Sequence, residues 1–228
     1  MICAVMQPYL FPYIGYYQLA NLADYFVIYD DVNYIKQGFI NRNNLLVNGE
    51  AARFTVPVDG GSSNNKINEV FFKDSKKTLK TIEQNYSKKE NFSRIYSLVE
   101  NVLEQHERNV VHINRMSIKE VFTYLGLEKT ILLSSDLNVS KELSRADRLI
   151  EITKKLSCNH YVNAIGGKGL YDKQYFNENG IELSFIESDI SYYEQGEESF
   201  VPGLSIIDIL MNCGKEEIEK MLLNFKLV

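Results

Sequence analysis

The sequence predicts an α/β protein: a mainly parallel open sheet flanked by helices, with a β-hairpin and a mostly helical middle segment. Three observations predict it. Short apolar runs with β-branched members, beginning with "ICAVM" (2–6) and "YFVIYD" (25–30), recur along the chain between segments of helical period. Asn48-Gly49 separates two apolar stretches, the strongest short-range signal for a hairpin. From about 74 to 126, apolar residues fall at helical spacing, and the whole of 1–228 reads as a single domain around that segment.

Taken in order, the joint between the first two runs holds Pro8 and Pro12, which forbid regular helix early, while residues from Ile14 onward form a short helix. A strand, a connection containing a helix and a second strand most often make a parallel pair. Residues 45–58 form the hairpin, and "DGGSSNNK" (59–66) has the composition of a mobile lid or a disordered connector. Leu79, Ile82 and Tyr86 mark one middle helix, Ile95, Leu98, Val99 and Val102 a second, and Ile113, Ile118, Val121 and Leu125 a third that stops at Gly126. "TILLSS" (130–135) is a strand, and residues 144–157 are a helix capped by Ser144. "HYVNAIGG" (160–167) is a strand with a glycine turn, 169–180 a short helix and "IELSFIE" (181–187) a further strand. Residues 204–214 and 215–225 close the chain as helices.

Composition bounds the function. Twenty-five basic against thirty acidic residues give a net charge of -5, so no global positive field exists to drive binding to nucleic acid or to an anionic membrane. No window reaches the length of an apolar membrane span and no signal peptide opens the chain, which reads as cytoplasmic. The three cysteines, Cys3, Cys158 and Cys213, are far apart in apolar segments, the pattern of buried thiols. His106, His112 and His160 make no close-spaced ligand pair, so no metal site is expected.

Open parallel sheets bind ligands beyond the carboxyl ends of their strands. Gln7, Asp30, Asp31, Asn163, Gly166 and Gly167 all stand at such ends and would share one cleft. Adjacent strand residues point to opposite faces, so one of the two aspartates at most faces a given wall unless the strand has ended. Partial burial would raise that carboxyl toward a pKa useful in proton transfer. In "NRN", Arg42 suits bidentate phosphate binding and Asn41 and Asn43 add hydroxyl or oxyanion contacts, although a helix-free polar turn has the same composition. The aromatic loop that includes Tyr13 fits either a stacking wall or a packed connector. "NAIGGKGLYD" carries Lys168 and Tyr171, and its amides would receive an anion at a helix start or form a plain turn. Asp208, set among Ile206, Ile207, Ile209 and Leu210, must find a donor or stay protonated, and the reading is structural anchoring, at a helix N-terminus or on Arg42, ahead of catalysis.

"MQPYLFPYIGYYQLANLADYFVIYDDVNYIKQGFINRN", "YVNAIGGKGLYD", Phe176 ahead of "GIELSFI", and "FVPGLSIIDILMNCG" together resemble the WbqC-like family, bacterial proteins encoded in clusters for O-antigen and related surface polysaccharides. The resemblance covers essentially the whole chain. It implies modification of a cell-surface sugar or its nucleotide-linked precursor by an acyl or aminoacyl group, and the leading reading is transfer to the amine of a nucleotide-linked deoxyamino sugar. Asp30 or Asp31 would then be general base or amine anchor, and Arg42 and Lys168 would hold phosphate. Asn41, Asn43 and Asn163 would orient the sugar or the oxyanion, with Gln7, Tyr13, Tyr34, Gly166, Gly167 and Tyr171 completing the substrate site. The donor would be a thioester on an acyl carrier protein or coenzyme A, with no tightly bound cofactor. Two alternatives stand beside it: a non-catalytic nucleotide-sugar-binding accessory protein, and a hydrolase or acyl-enzyme using a cysteine.

Overall fold

The apolar N-terminal run forms β1 (Ile2–Met6), and α1 (Ile14–Leu22) leads to β2 (Tyr25–Ile28), which pairs parallel to β1. In this computed structural model, which describes residues 1–228, the hairpin comes next as β3 (Arg42–Val47) and β4 (Glu50–Thr55). Asn48 and Gly49 take φ of 52° and 78° at its turn, the left-handed values that a two-residue type I′ turn demands. A small antiparallel pair, β5 (Val58–Asp59) and β6 (Phe71–Phe72), flanks the stretch expected to be a lid or a connector. That stretch is tied down: Tyr34 N donates to Asn65 O at 2.9 Å, Asn65 Nδ2 to Gly60 O at 2.8 Å and Lys66 Nζ to Asn33 Oδ1 at 2.7 Å.

The middle of the chain is helical as its spacing predicts, with α2 (Lys76–Tyr86), α3 (Phe92–Leu103) and α4 (Val110–Leu125), the last stopped by Gly126 at φ 78°. Then come β7 (Ile131–Leu133), α5 (Arg145–Lys155), β8 (His160–Ala164), α6 (Lys173–Glu178) and β9 (Glu182–Ser188). Ser144 caps α5 by accepting from Asp147 N. The chain closes with α7 (Ile206–Asn212), α8 (Lys215–Met221) and β10 (Phe225–Leu227).

The main sheet has six strands in the order β10-β9-β8-β1-β2-β7, parallel except for β10. That last strand corrects the expected helix over 215–225. The apolar spacing of Leu222, Leu223 and Phe225 continues a helical pattern, but Phe225, Lys226 and Leu227 pair with Ser188, Glu187 and Ile186, supplying hydrogen bonds to an otherwise open edge. Strand alternation divides the core into two layers. Ala4, Phe26, Ile28 and Val162 pack on the α1 side, while Cys3, Val5, Val27 and Tyr161 pack with Leu149 and Ile152 of α5 and Phe176 of α6 on the other. No helix is long and apolar enough to cross a membrane.

Candidate functional site

The order of the strands locates a crevice. From β1 the chain steps to β2 on one side, and β8 lies on the other, so the connections leaving β1 and β8 diverge. After β1 the chain enters the aromatic loop and reaches α1 on one face; after β8 it turns through residues 165–167 and reaches α6 on the opposite face. Gln7 and Asn163 therefore stand at neighbouring strand ends, both partly exposed. Asn163 Oδ1 accepts from Ala164 N at 2.7 Å, and its amide lies so close to Gly167 that a Cβ there would come within 3.0 Å of Nδ2. Gln7 O accepts from Tyr16 Oη at 2.9 Å. On the α1 side Tyr13 is half-buried against Gly15 and Ser188, and burial pushes its hydroxyl up.

On the same edge, at the end of β2 next to β1, Asp30 and Asp31 are 1% and 2% exposed. Strand β2 ends at Ile28, so the alternation of faces no longer applies and both carboxylates turn to the same hydroxyl. Ser134 Oγ lies 2.9 Å from Asp30 Oδ1 and 2.6 Å from Asp31 Oδ1. Asp30 also accepts from Ser135 N at 3.0 Å, Ser135 Oγ at 2.7 Å and Asn68 Nδ2 at 3.3 Å, all of them neutral donors. Asp31 Oδ2 accepts from Arg148 Nη2 at 2.6 Å and has Lys141 Nζ at 3.7 Å. Burial pushes the Asp31 carboxyl up, but the Ser134 hydroxyl, then Arg148, then Lys141 outweigh it and hold it below its ordinary value. The expected rise is thus reversed at Asp31, because the Ser134 hydroxyl and then a buried cation accompany the burial.

The other residues singled out in the sequence divide by place. Asn41 and Asn43 are buried and bound to the scaffold: Asn41 accepts from Tyr34 Oη at 2.8 Å and donates to Val56 O at 2.9 Å, and Asn43 Nδ2 donates to Phe11 O at 2.8 Å. Arg42 opens β3 in the hairpin, so the polar-turn alternative for "NRN" does not hold, and its Nη2 donates to Lys36 O while Nε has no partner. Gly166 and Lys168 are exposed beside Asn163, and Tyr171 is half-buried with its ring edge-on to Phe176 at 6.0 Å. Helix α6 begins only at Lys173 and Asp172 already fills its start by accepting from Gln174 N, so the glycine turn opens no helix that could receive an anion.

Comparison with known proteins is decisive at the family level. The model of the WbqC-like protein family matches residues 7–220, which includes Gln7, both aspartates, Asn163 and Asp208. The chain belongs to the WbqC-like protein family. A relative, the uncharacterized protein Rv1507c of Mycobacterium tuberculosis, is 28% identical over 219 residues, 93% of this chain and 94% of its own. No solved structure matches.

Within this WbqC-like chain, sequence reasoning missed the partners of the aspartates. Ser134 and Ser135 close "TILLSS" at the end of β7, and the rule that selected Gln7 and Asn163 would have selected them too. Arg148 is 4% exposed on the apolar face of α5 that carries Leu149 and Ile152, and a charge on such a face is itself a signal. Its guanidinium lies over the Tyr29 ring, 4.9 Å from the centroid, and its Nε has no partner.

Asp208 is fully buried and forms a separate network. Tyr86 Oη donates to its Oδ1 at 2.6 Å, and Tyr193 Oη and Gln195 Nε2 donate to Oδ2 at 2.7 and 3.2 Å. It stands in the first turn of α7, but neither expected anchor holds its carboxylate: the donors are two tyrosine hydroxyls and a glutamine amide, not a helix N-terminal N–H or Arg42. Surface concavities of about 330, 440, 280, 260 and 520 Å³ lie elsewhere, and none is lined by Gln7, Asp30, Asp31, Arg42 or Asn163. No three His, Cys, Asp or Glu side chains group so as to hold a metal ion.

Proposed function

We propose that this WbqC-like protein transfers an acyl or aminoacyl group from a thioester, on an acyl carrier protein or coenzyme A, to the amine of a nucleotide-linked deoxyamino sugar used in surface polysaccharide. The observation that supports this most is the pair of buried carboxylates at the carboxyl edge of a parallel sheet, beside the point where β1 and β8 diverge. A carboxylate held anionic by Arg148 is a weak base but a strong partner for an ammonium.

In this reading Asp31 positions the amine near the thioester carbonyl. The bound ammonium first loses a proton to water; the neutral amine then attacks the thioester carbonyl, the N–C bond forms, and as the C–S bond breaks and the thiolate leaves, the acidified nitrogen of the adduct gives its second proton to the Asp31 carboxylate. Gln7, Asn163 and Tyr171 face the sugar from the crevice, with Tyr13 on its other side. Gly166, Gly167 and Lys168 take the phosphates, and Asn41, Asn43 and Tyr34 anchor the start of strand β3, which presents Arg42.

The deciding experiment incubates the protein with a panel of nucleotide-linked amino sugars and acyl-coenzyme A or acyl carrier protein donors, read by mass spectrometry. An N-acylated product that disappears in Asp31→Asn supports the reading. A shift in melting temperature with nucleotide sugar but no product from any donor would replace it with the binding-protein reading.

A further inference from the structure

Helices α5 and α6 both begin at the carboxyl edge of the sheet, because each follows a parallel strand, β7 and β8, and both lie in the layer opposite α1. Each opens on a cation, Arg145 and Lys173, and Lys168 stands between β8 and α6 after the glycine turn. All three are exposed and none has an ion-pair partner. A cation in the first turn of a helix stands against the macrodipole, so Arg145 gains nothing from α5. The carboxylates beside them are used locally: Asp147 accepts from Ser144 Oγ and Tyr175 Oη, and Asp172 accepts from Gln174 N, which leaves Glu142 against the three cations. The same surface carries apolar side chains. Leu170 is 65% exposed, and Leu143, Ile165 and Tyr175 are 37%, 39% and 40% exposed. The two stretches are joined, since Tyr175 of α6 bonds Asp147 of α5, and Arg145 is close enough to Tyr171 to oppose the rise that burial gives its hydroxyl. A patch of apolar side chains rimmed by one sign of charge, in a chain of net charge -5, fits a partner of the opposite sign. It also borders the crevice, because Ile165 directly follows β8.

We propose that this face, made by the start of α5, the glycine turn and the start of α6, docks an acidic carrier protein that brings the thioester to the crevice on a flexible arm. This deepens the acyl-transfer reading and rests on it for the carrier's cargo: the donor is the carrier-borne thioester, not free coenzyme A. A carrier must leave after each transfer, and a few apolar anchors within a rim of cations suit a small, charge-steered contact of that kind. An anionic membrane fits less well, because the chain as a whole is negative and α5 and α6 offer this face only their first turns.

The test titrates the full chain with an apo acyl carrier protein, which has the acidic surface and no arm, so that docking is read without chemistry. Binding to the parent should weaken about tenfold between low salt and about 0.5 M salt. Arg145→Glu should weaken it about tenfold at low salt and Leu170→Ser about threefold, both with an unchanged melting temperature, while Lys220→Glu on α8 in the opposite layer should leave it as it is. No binding to the parent, or equal binding in the parent and Arg145→Glu, overturns the proposal, as does an equal loss in Lys220→Glu, which would show only a diffuse field. Binding of the parent to phosphatidylglycerol vesicles and not to the carrier overturns it in favour of a membrane. The amino-sugar panel separates the two ideas. Carrier binding that depends on Arg145, without product from any donor, upholds the face and removes the acyl-transfer reading. Product formed from a carrier-borne donor as fast in Arg145→Glu as in the parent, at low carrier concentration, removes the face alone.

Discussion

Arg148 Nη2 stands 2.6 Å from Asp31 Oδ2, both side chains buried, and this contact ties helix α5 to the end of β2. Removing one partner of a buried pair leaves the other uncompensated, which costs about 3–5 kcal/mol. Arg148→Met should therefore lower stability by roughly that amount in urea unfolding. Asp31→Asn keeps the shape and some of the hydrogen bonding, so it should cost less while reducing turnover roughly 10²- to 10⁴-fold at saturating substrate. Full turnover in folded Asp31→Asn would remove Asp31 from the chemistry.

Acid stability is set by the same contact. Asp31 has its pKa lowered in the folded protein from an ordinary value of 3.8. A depressed carboxylate contributes stability that is fully present above its unfolded pKa and is lost as pH falls through its folded pKa. The parent should thus show a decline in unfolding free energy beginning near that unfolded value and continuing below it, and the decline should be shallower in Asp31→Asn. Identical slopes for the two proteins throughout that acid range would show that Arg148 and Ser134 do not stabilise the ionised form.

The Asp208 network predicts a purely structural phenotype. Both Tyr86 and Tyr193 hydroxyls are pushed well up, first by burial and then by Asp208, so they remain donors throughout the working range. Tyr86→Phe removes a donor from Asp208 and an acceptor from Leu46 N, and should cost about 1–3 kcal/mol; Tyr193→Phe should cost less, since Gln195 remains on the same oxygen. Turnover per folded molecule, measured with the amino-sugar and thioester panel, should be unchanged in both.

Thiol chemistry tests the cysteine-nucleophile alternative. Burial, reinforced by Cys158, pushes the Cys3 thiol up to about 12, and burial with Glu217 does the same for Cys213, also to about 12; burial raises Cys158 too. Native protein at mildly alkaline pH should take up no iodoacetamide, and unfolded protein should take it up at all three cysteines, as intact-mass measurement would show. Rapid labelling of one cysteine with loss of turnover would restore the acyl-enzyme route.

Much of the fold was legible in the residues. Local period distinguishes β1, β2 and β9 from α2, α3 and α4, because strand and helix place side chains at repeats of 2 and 3.6 wherever one face is buried. Asn48-Gly49 announced its own turn, and "YFVIYD" announced that Asp30 and Asp31 would come at the end of a strand. What failed was local as well: Phe225 and Leu227 carry too short a pattern to separate the end of a helix from an edge strand, and pairing with β9 decided it.

The sequence by itself determined the order of elements and the chemical kinds of group at each strand end, since both depend on neighbours a few residues away. Only the tertiary structure decided which groups meet. Ser134 joins Asp30 across 104 residues and Arg148 joins Asp31 across 117, and no local pattern records either choice. Those partners reverse the direction in which burial alone would move Asp31, because a carboxyl taken out of water rises unless bonded donors, here the Ser134 hydroxyl and then the Arg148 cation, favour its ionised form.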